Sequence, residues 1–287
     1  VEGRREKVGG ARTADLKGEQ RSAGLTLIGP APQFPASFGQ GVPTSRVRGG
    51  GSVEELLYEG KAKIVYRGSH PGTLRVYFKD DATAFNAQKR GSIVGKGVIN
   101  NQISATLFRY LEAQGVPTHF LNERSEREME VWEVKILPLE VVLRNRAAGT
   151  FCRRYGAPRG LRFPFPLVEF SLKNDALGDP LIYEEAVVAL GLAEPSLLAE
   201  VRQRTLQINE LLKAYFEVRH LELVDFKLEF GLREGTLLLA DEISPDTMRL
   251  WELGSEEPMD KDRFRQDLGR VEEAYQEVWR RVRGGEG

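Results

Sequence analysis

Charged and apolar residues alternate strictly through Asp225-Phe226-Lys227-Leu228-Glu229-Phe230, which predicts a strand with one charged face and one oily face. A second strand, Leu237-Leu238-Leu239-Ala240-Asp241-Glu242, follows Arg233-Glu234-Gly235, which reads as a three-residue hairpin loop with glycine in the left-handed last position. That loop pairs Leu232 with Thr236, Glu229 with Leu239 and Lys227 with Asp241, unless a bulge at Gly235 slips the register by one. In this register Asp241 joins the charged face diagonal to Glu229, roughly 7 Å away, a gap that one cation can bridge. A solvated hairpin with charges on its outer side is the plainer alternative. Against it, Asp241 ends a run of three leucines and an alanine, and a carboxylate at the end of a buried strand needs a partner.

The same pattern continues on either side. Leu56 to Tyr66 reads as strand, tight turn at Gly60, strand, with Lys61 and Lys63 two apart on one face. Leu74 to Asp80 is a further strand, and Asp81 to Gly97 a polar loop too long for a simple connector. Helical spacing of Val98, Ile99, Ile103, Leu107 and Leu111 runs to Gln114, where Gly115 and Pro117 stop it. Short strands are expected near Phe120, over 130–137, over 140–143 and over 167–172, with Pro138 in an extended connector between two lobes. A short helix over 184–190 and a long one opened by Pro195 precede the charged hairpin. One last helix is expected from about Asp260 to Arg283, packing Phe264, Leu268, Val271, Tyr275, Val278 and Val282. Meandering strands with helices laid on them predict an α+β fold with mainly antiparallel sheets. The expected boundaries are an extension over 1–52, one lobe over 53–137 and another over 138–287.

Composition alters this picture mainly at the N-terminal end. Residues 1–52 hold 11 of the 30 glycines and 4 of the 14 prolines without sustained periodicity, and read as a disordered extension. Near-equal totals of 41 basic and 42 acidic residues leave no global attraction to nucleic acid or to an acidic membrane, so any anion site is local. With one cysteine, Cys152, no internal disulfide or multi-cysteine metal site can form, and a cytoplasmic setting is expected. No apolar run approaches the length of a membrane span.

Two further stretches carry candidate chemistry. Gly60 beside Lys61 and Lys63 suits a hairpin that covers phosphates, although the Walker A spacing is absent. Arg144-Asn145-Arg146-Ala147-Ala148-Gly149-Thr150, followed by Arg153 and Arg154, sets arginines and a hydroxyl around a turn of small residues, an arrangement suited to an oxyanion or phosphate. Arg249 follows the charged strand end closely enough to reach the same cleft.

Taken together, YEGKAKIVY, RNRAAGT, DFKLEFG and ADEISPDTMRLW, with MDKDRFRQDLG after them, resemble SAICAR synthetase of purine biosynthesis from about Leu57 to the C-terminus. The resemblance implies two α+β lobes with ATP in the cleft between them, and often a homodimer. It implies an ATP-dependent ligase that joins the carboxylate of carboxyaminoimidazole ribonucleotide (CAIR) to the amine of L-aspartate. By position, Gly60, Lys61 and Lys63 would hold the ATP phosphates, and Glu229 and Asp241 would ligate Mg²⁺ with Lys227 beside them. Arg144, Thr150 and Arg249 would bind the CAIR phosphate and its surroundings. A kinase-like phosphotransferase would want the HRDxxxxN and DFG sequences, which are missing. A nucleotide- or RNA-binding module would have no use for paired carboxylates at a strand end.

Overall fold

The alternating segments of the first half pair into an antiparallel sheet in the computed structural model, which describes residues 55–84 and 89–284. Strands β1 (Leu56–Glu59), β2 (Lys63–Arg67) and β3 (Thr73–Phe78) form a meander, followed by a separate hairpin of β4 (Asp81–Ala84) and β5 (Lys89–Ser92). Helix α1 (Lys96–Ala113) comes next, then β6 (Phe120–Ser125) and β7 (Glu128–Trp132), which complete a five-stranded sheet in the order β1-β2-β3-β7-β6. The long polar loop expected over 81–97 therefore carries a short hairpin of its own.

The second sheet is built from β8 (Lys135–Arg146), β9 (Arg162–Leu172), β10 (Leu181–Ile182), β11 (Leu221–Arg233), β12 (Thr236–Ala240) and β13 (Met248–Glu252). Its order is β10-β9-β8-β11-β12, with β13 also on β11, and every pairing is antiparallel. Between these strands lie α2 (Thr150–Tyr155), α3 (Glu184–Ala189) and α4 (Pro195–Glu217), with Pro195 opening α4 where its missing N–H costs nothing. Pro138 lies inside β8 rather than in a connector between sheets. It falls where β8 carries extra residues against β11, between the Glu140–Glu229 and Ile136–Gly231 pairs, so its missing donor breaks no regular ladder bond. Its carbonyl still accepts from the Lys173 N–H at 3.0 Å.

The oily face of β11 does what its alternation predicts. Phe226, Leu228 and Phe230 are buried in one cluster with Val141 and Leu143 of β8 and with Leu198, Val201, Ile208, Leu212 and Phe216 of α4. That cluster runs on through Ile99, Ile103, Leu107 and Leu111 of α1 to Val76 and Phe78 of the first sheet, so one apolar core supports both sheets. Truncating any of its large members to alanine would cost about 3 kcal/mol.

The C-terminal segment departs from expectation. The single helix is two, α5 (Asp262–Arg265) and α6 (Val271–Val282), separated where Gly269 and Arg270 take φ of 68° and 50°. Leu268 is consequently 46% exposed instead of packed, whereas Tyr275, Val278 and Val282 are buried as expected. Residues 1–52, read above as an extension, lie outside the described residues.

Candidate functional site

Opposed residues on neighbouring strands point to the same side of a sheet, so the register of β11 defines a polar surface. Glu229 faces Glu140, Lys227 faces Val142, and Asp225 faces Arg144 on one side and Arg249 on the other. The next strand, β9, adds Ser171 opposite Glu140 and Glu169 opposite Val142. Two charged clusters form on this face, centred on Glu229 and Asp225, four residues and hence roughly 13 Å apart along β11.

The hairpin that feeds the first cluster is one residue out of the expected register. Glu229 pairs with Ala240 and Arg233 with Thr236, leaving a two-residue loop of Glu234 and Gly235 with φ of 51° and 81°. Both are positive, as in a type I′ turn, whose twist matches that of the flanking strands. Continued alternation would carry Asp241 to the oily side. Asp241 instead follows the last residue of β12 with φ of 63° and brings its carboxylate to Lys63 Nζ. The same ammonium lies 3.0 Å from Glu242 Oε1, while the Ser244 hydroxyl donates to Glu242 Oε2. Lys227 Nζ donates to Glu140 Oε1 at 2.8 Å and to Glu229 Oε1 at 2.9 Å, and Lys173 Nζ donates to Glu229 Oε2.

These groups hold one another in their charged forms. Burial works against the Lys63 ammonium, but Asp241 and Glu242 outweigh it and keep its pKa above the ordinary lysine value. Burial likewise opposes charge on Lys227, and Glu229, Asp241 and Glu140 prevail. Burial would raise the Asp241 carboxyl, yet Lys63, Lys227 and Lys173 hold it well below the usual carboxylate range. Beside Asp241, burial pushes the buried His119 imidazole down to about 4, with Lys63 acting in the same sense and Asp241 against it. His119 is thus neutral at pH 7. Its ring lies edge-on to Phe108, and its backbone N–H donates to the Leu239 carbonyl at 2.8 Å, so it is built into the packing between the sheets as a structural residue.

In the second cluster Asp225 is shared by two guanidinium groups. Arg144 Nη1 donates to Asp225 Oδ2 at 2.7 Å, and Arg249 Nη1 donates to both carboxylate oxygens at 3.0 and 2.9 Å. Arg144 Nε is anchored on Glu169 at 2.7 Å and Arg249 Nε on Asp262 at 2.8 Å, so both guanidinium planes are fixed. Burial opposes charge on Arg249, but Asp225 and Asp262 hold its pKa far above neutrality. The outer nitrogens turn toward the RNRAAGT turn. Arg144 Nη2 donates to Thr150 Oγ1 at 3.2 Å, and Arg249 Nη2 would stand 2.3 Å from a Cβ placed on Gly149. Gly149 has φ 53° and ψ −122°, a backbone open to glycine, so this position both turns the chain and admits the guanidinium.

A third polar group braces the segment between the two clusters. Asp246 accepts from Lys96 Nζ at 2.8 Å, Lys261 Nζ at 3.2 Å and the Tyr275 hydroxyl at 2.7 Å. Although burial raises the Asp246 carboxyl, Lys261 and Lys96 hold it well below the usual range. The start of α1, the start of α5 and the middle of α6 are thereby tied to the loop that delivers Arg249.

The expected site residues therefore divide into two groups. Lys63, Lys227, Glu229 and Asp241 meet in the first cluster, and Arg144, Thr150 and Arg249 meet in the second. Gly60 closes its turn by donating to the Lys63 carbonyl at 2.8 Å, but Lys61 lies in that turn rather than on β2. It reaches Asp175 at 3.0 Å, with half of its side chain exposed. Sequence reasoning passed over Glu140, Glu169, Glu242 and Asp262. Glu140 had a signal, since period two places it on the face of Arg144; Glu169 and Asp262 depend on pairings that only the folded chain makes.

The first cluster offers carboxylate oxygens, which suit a hard divalent cation. Among the described residues, however, no three acidic, histidine or cysteine side chains stand close enough to enclose an ion as they are, because ammonium groups lie between them. No helix among the described residues is long and apolar enough to cross a membrane.

Comparison with known proteins points the same way as the motifs. Residues 56–282 match the family described as SAICAR synthetase. The phosphoribosylaminoimidazole-succinocarboxamide synthase of Deinococcus deserti is 55% identical over 229 residues, covering 79% of this chain and 97% of that protein. Among solved structures, the synthase of the same name from Ehrlichia chaffeensis superposes with a TM-score of 0.79 at 41% identity, covering 81% of this chain and all of that one. A SAICAR synthetase in complex with ADP superposes with a TM-score of 0.77 at 42% identity, covering 80% of this chain and 97% of that one.

Proposed function

Because the chain belongs to the SAICAR synthetase family, we propose that it joins the carboxylate of CAIR to the amine of L-aspartate, converting ATP to ADP and phosphate. The observation that carries this reading is the division of one sheet face into a lysine–carboxylate cluster and an arginine cluster roughly 13 Å apart. The first suits a metal-bound polyphosphate and the second the phosphate of a nucleotide-like co-substrate, with the reacting carboxylate between them. The ADP held by a relative of this fold supports the assignment of the nucleotide.

Lys63 and Lys61 would contact ATP phosphates, and Lys227 would face the oxygens that gather charge as the terminal phosphoryl group moves. Glu229 and Asp241, with Glu242 adjoining, would hold Mg²⁺, whose chemistry is to neutralise the crowded phosphate oxygens. Arg144, Thr150 and Arg249 would anchor the CAIR phosphate, fixed from behind by Asp225, Glu169 and Asp262. Anchoring at that distance turns the encounter of carboxylate and phosphoryl group into a positioned reaction.

An ionised carboxylate is a poor acyl donor because oxide cannot leave. Transfer of the terminal phosphoryl group of ATP to a carboxylate oxygen of CAIR breaks the bond to ADP and makes an acyl phosphate. The aspartate amine then attacks the carbonyl carbon, loses a proton, and expels phosphate that carries the former carboxylate oxygen. Two linked measurements test this. ADP should turn over continuously only when CAIR and L-aspartate are both present, CAIR alone supporting at most the one turnover that makes the acyl phosphate, and ¹⁸O placed in the CAIR carboxylate should appear in the released phosphate. Label reaching phosphate from water instead would refute the acyl phosphate, and continuous ADP turnover with either co-substrate omitted would refute the ligase.

A further inference from the structure

The carboxylates of the first cluster are all engaged by ammonium groups. Both oxygens of Glu229 are taken, Oε1 by Lys227 and Oε2 by Lys173, and Asp241 and Glu242 share Lys63. Three lysines thus stand against the four carboxylates of Asp241, Glu242, Glu229 and Glu140. The near balance lets these groups remain charged on a face where Glu229 and Glu242 are almost wholly buried. A divalent cation arriving alone must displace ammonium groups from Glu229 and Asp241; Lys227 keeps Glu140 and Lys63 keeps Glu242, but Lys173 loses the carboxylate it holds. Arriving with a nucleotide, it brings phosphate oxygens to which the displaced lysines can turn.

Lys173 differs from the other two lysines. It comes from the segment after β9 instead of from a strand under the site, and 43% of its side chain is exposed, so it can swing away without disturbing the core. Its neighbour Asp175 meanwhile holds Lys61 of the β1–β2 turn, so the Lys173-Asn174-Asp175 segment engages both the carboxylate cluster and the turn. The Lys173 backbone is pinned by its bond to the Pro138 carbonyl, and Asn174 caps the following 3₁₀ turn through the N–H groups of Ala176 and Leu177. The segment is therefore held in place while its two charged ends remain able to exchange partners.

We propose that Lys173 is a placeholder cation that closes the metal site until a nucleotide arrives, so that metal and nucleotide bind together and neither binds well alone. This rests on the assignment of Glu229 and Asp241 as metal ligands. Reciprocity of coupled binding means that the factor by which nucleotide strengthens metal binding is the factor by which metal strengthens nucleotide binding. Removing the placeholder should raise affinity for the metal alone and shrink that factor.

The test uses Mn²⁺ as the probe, with free ion measured by electron paramagnetic resonance on the whole protein, with and without saturating ADP. In the unaltered protein ADP should tighten Mn²⁺ binding by at least about 30-fold, within the usual range of coupling between sites. Lys173→Met should tighten Mn²⁺ binding without nucleotide by about tenfold and reduce the effect of ADP in proportion, whereas Lys173→Arg should behave like the unaltered protein. Equal Mn²⁺ affinity with and without ADP would overturn the proposal. So would Lys173→Met leaving nucleotide-free binding unchanged or weaker, in protein whose circular dichroism matches the parent. Failure of Mn²⁺ to bind even with ADP would refute the metal assignment itself, and the placeholder with it, while ADP formation dependent on both co-substrates would still uphold the ligase.

Discussion

Gly149→Ala tests how the arginine cluster is built. The added methyl would sit 2.3 Å from Arg249 Nη2 and 2.7 Å from its Cζ, and restoring ordinary contact requires roughly 1 Å of retreat. Arg249 cannot retreat freely, because Nη1 is held by Asp225 and Nε by Asp262 at 2.8 Å. The alanine must also adopt φ 53° and ψ −122°, a strain of about 1–3 kcal/mol that appears as lost stability. If Arg249 gives way, one charge-assisted contact to the CAIR phosphate weakens, worth about 1.5–3 kcal/mol. At 1.4 kcal/mol per factor of ten, the KM for CAIR should rise about 10- to 150-fold. The KM for ATP should stay within about threefold, because the lysine cluster lies roughly 13 Å away along β11. Steady-state kinetics, varying each substrate with the others saturating, would show the split, and a thermal melt would show the strain. A CAIR KM within threefold of the parent, or equal rises for CAIR and ATP, would refute this reading of the cluster.

Two further outcomes follow from the same face. Glu229→Gln and Asp241→Asn should each lower kcat by orders of magnitude while the protein stays folded, since they remove charge from the proposed metal ligands with little change of shape; near-normal kcat in both at saturating Mg²⁺ would contradict the assignment. His119, held at about 4 against an unfolded value near 6.5, binds a proton in the unfolded chain before the folded one, so its share of stability is whole above pH 6.5 and is lost as pH falls from 6.5 to 4. The loss amounts to about 3 kcal/mol, and denaturant melts of His119→Phe over that range should show a correspondingly shallower decline, an equal slope being evidence that His119 is not responsible.

Elements with a strong period were legible. The spacing in α1 and the alternation in β11 recur in the fold because each buries one continuous face in the shared core. What failed was punctuation. Gly269 carried the stop signal that divides α5 from α6, but the apolar spacing on either side ran in phase across it and read as one helix. Pro138 read as a break because a proline in a strand usually is one; here an irregular stretch of β8 absorbs it.

The charged hairpin shows why the face was legible although its register was not. A three-residue loop needs positive φ only at Gly235, whereas the observed two-residue loop also requires it of Glu234, an uncommon choice that sequence alone argues against. The resulting slip of one residue should have turned Asp241 into the core. Burial of an unpaired carboxylate there would cost several kcal/mol, more than the roughly 1 kcal/mol of a left-handed non-glycine residue. The chain takes the smaller penalty: Asp241 adopts φ of 63° and meets Lys63, 178 positions away in sequence. Register depends on a fine balance between turn types, but the side on which a carboxylate ends is set by a much larger energy. Chemistry-bearing residues at strand ends can therefore be assigned to a face more securely than the strands can be paired.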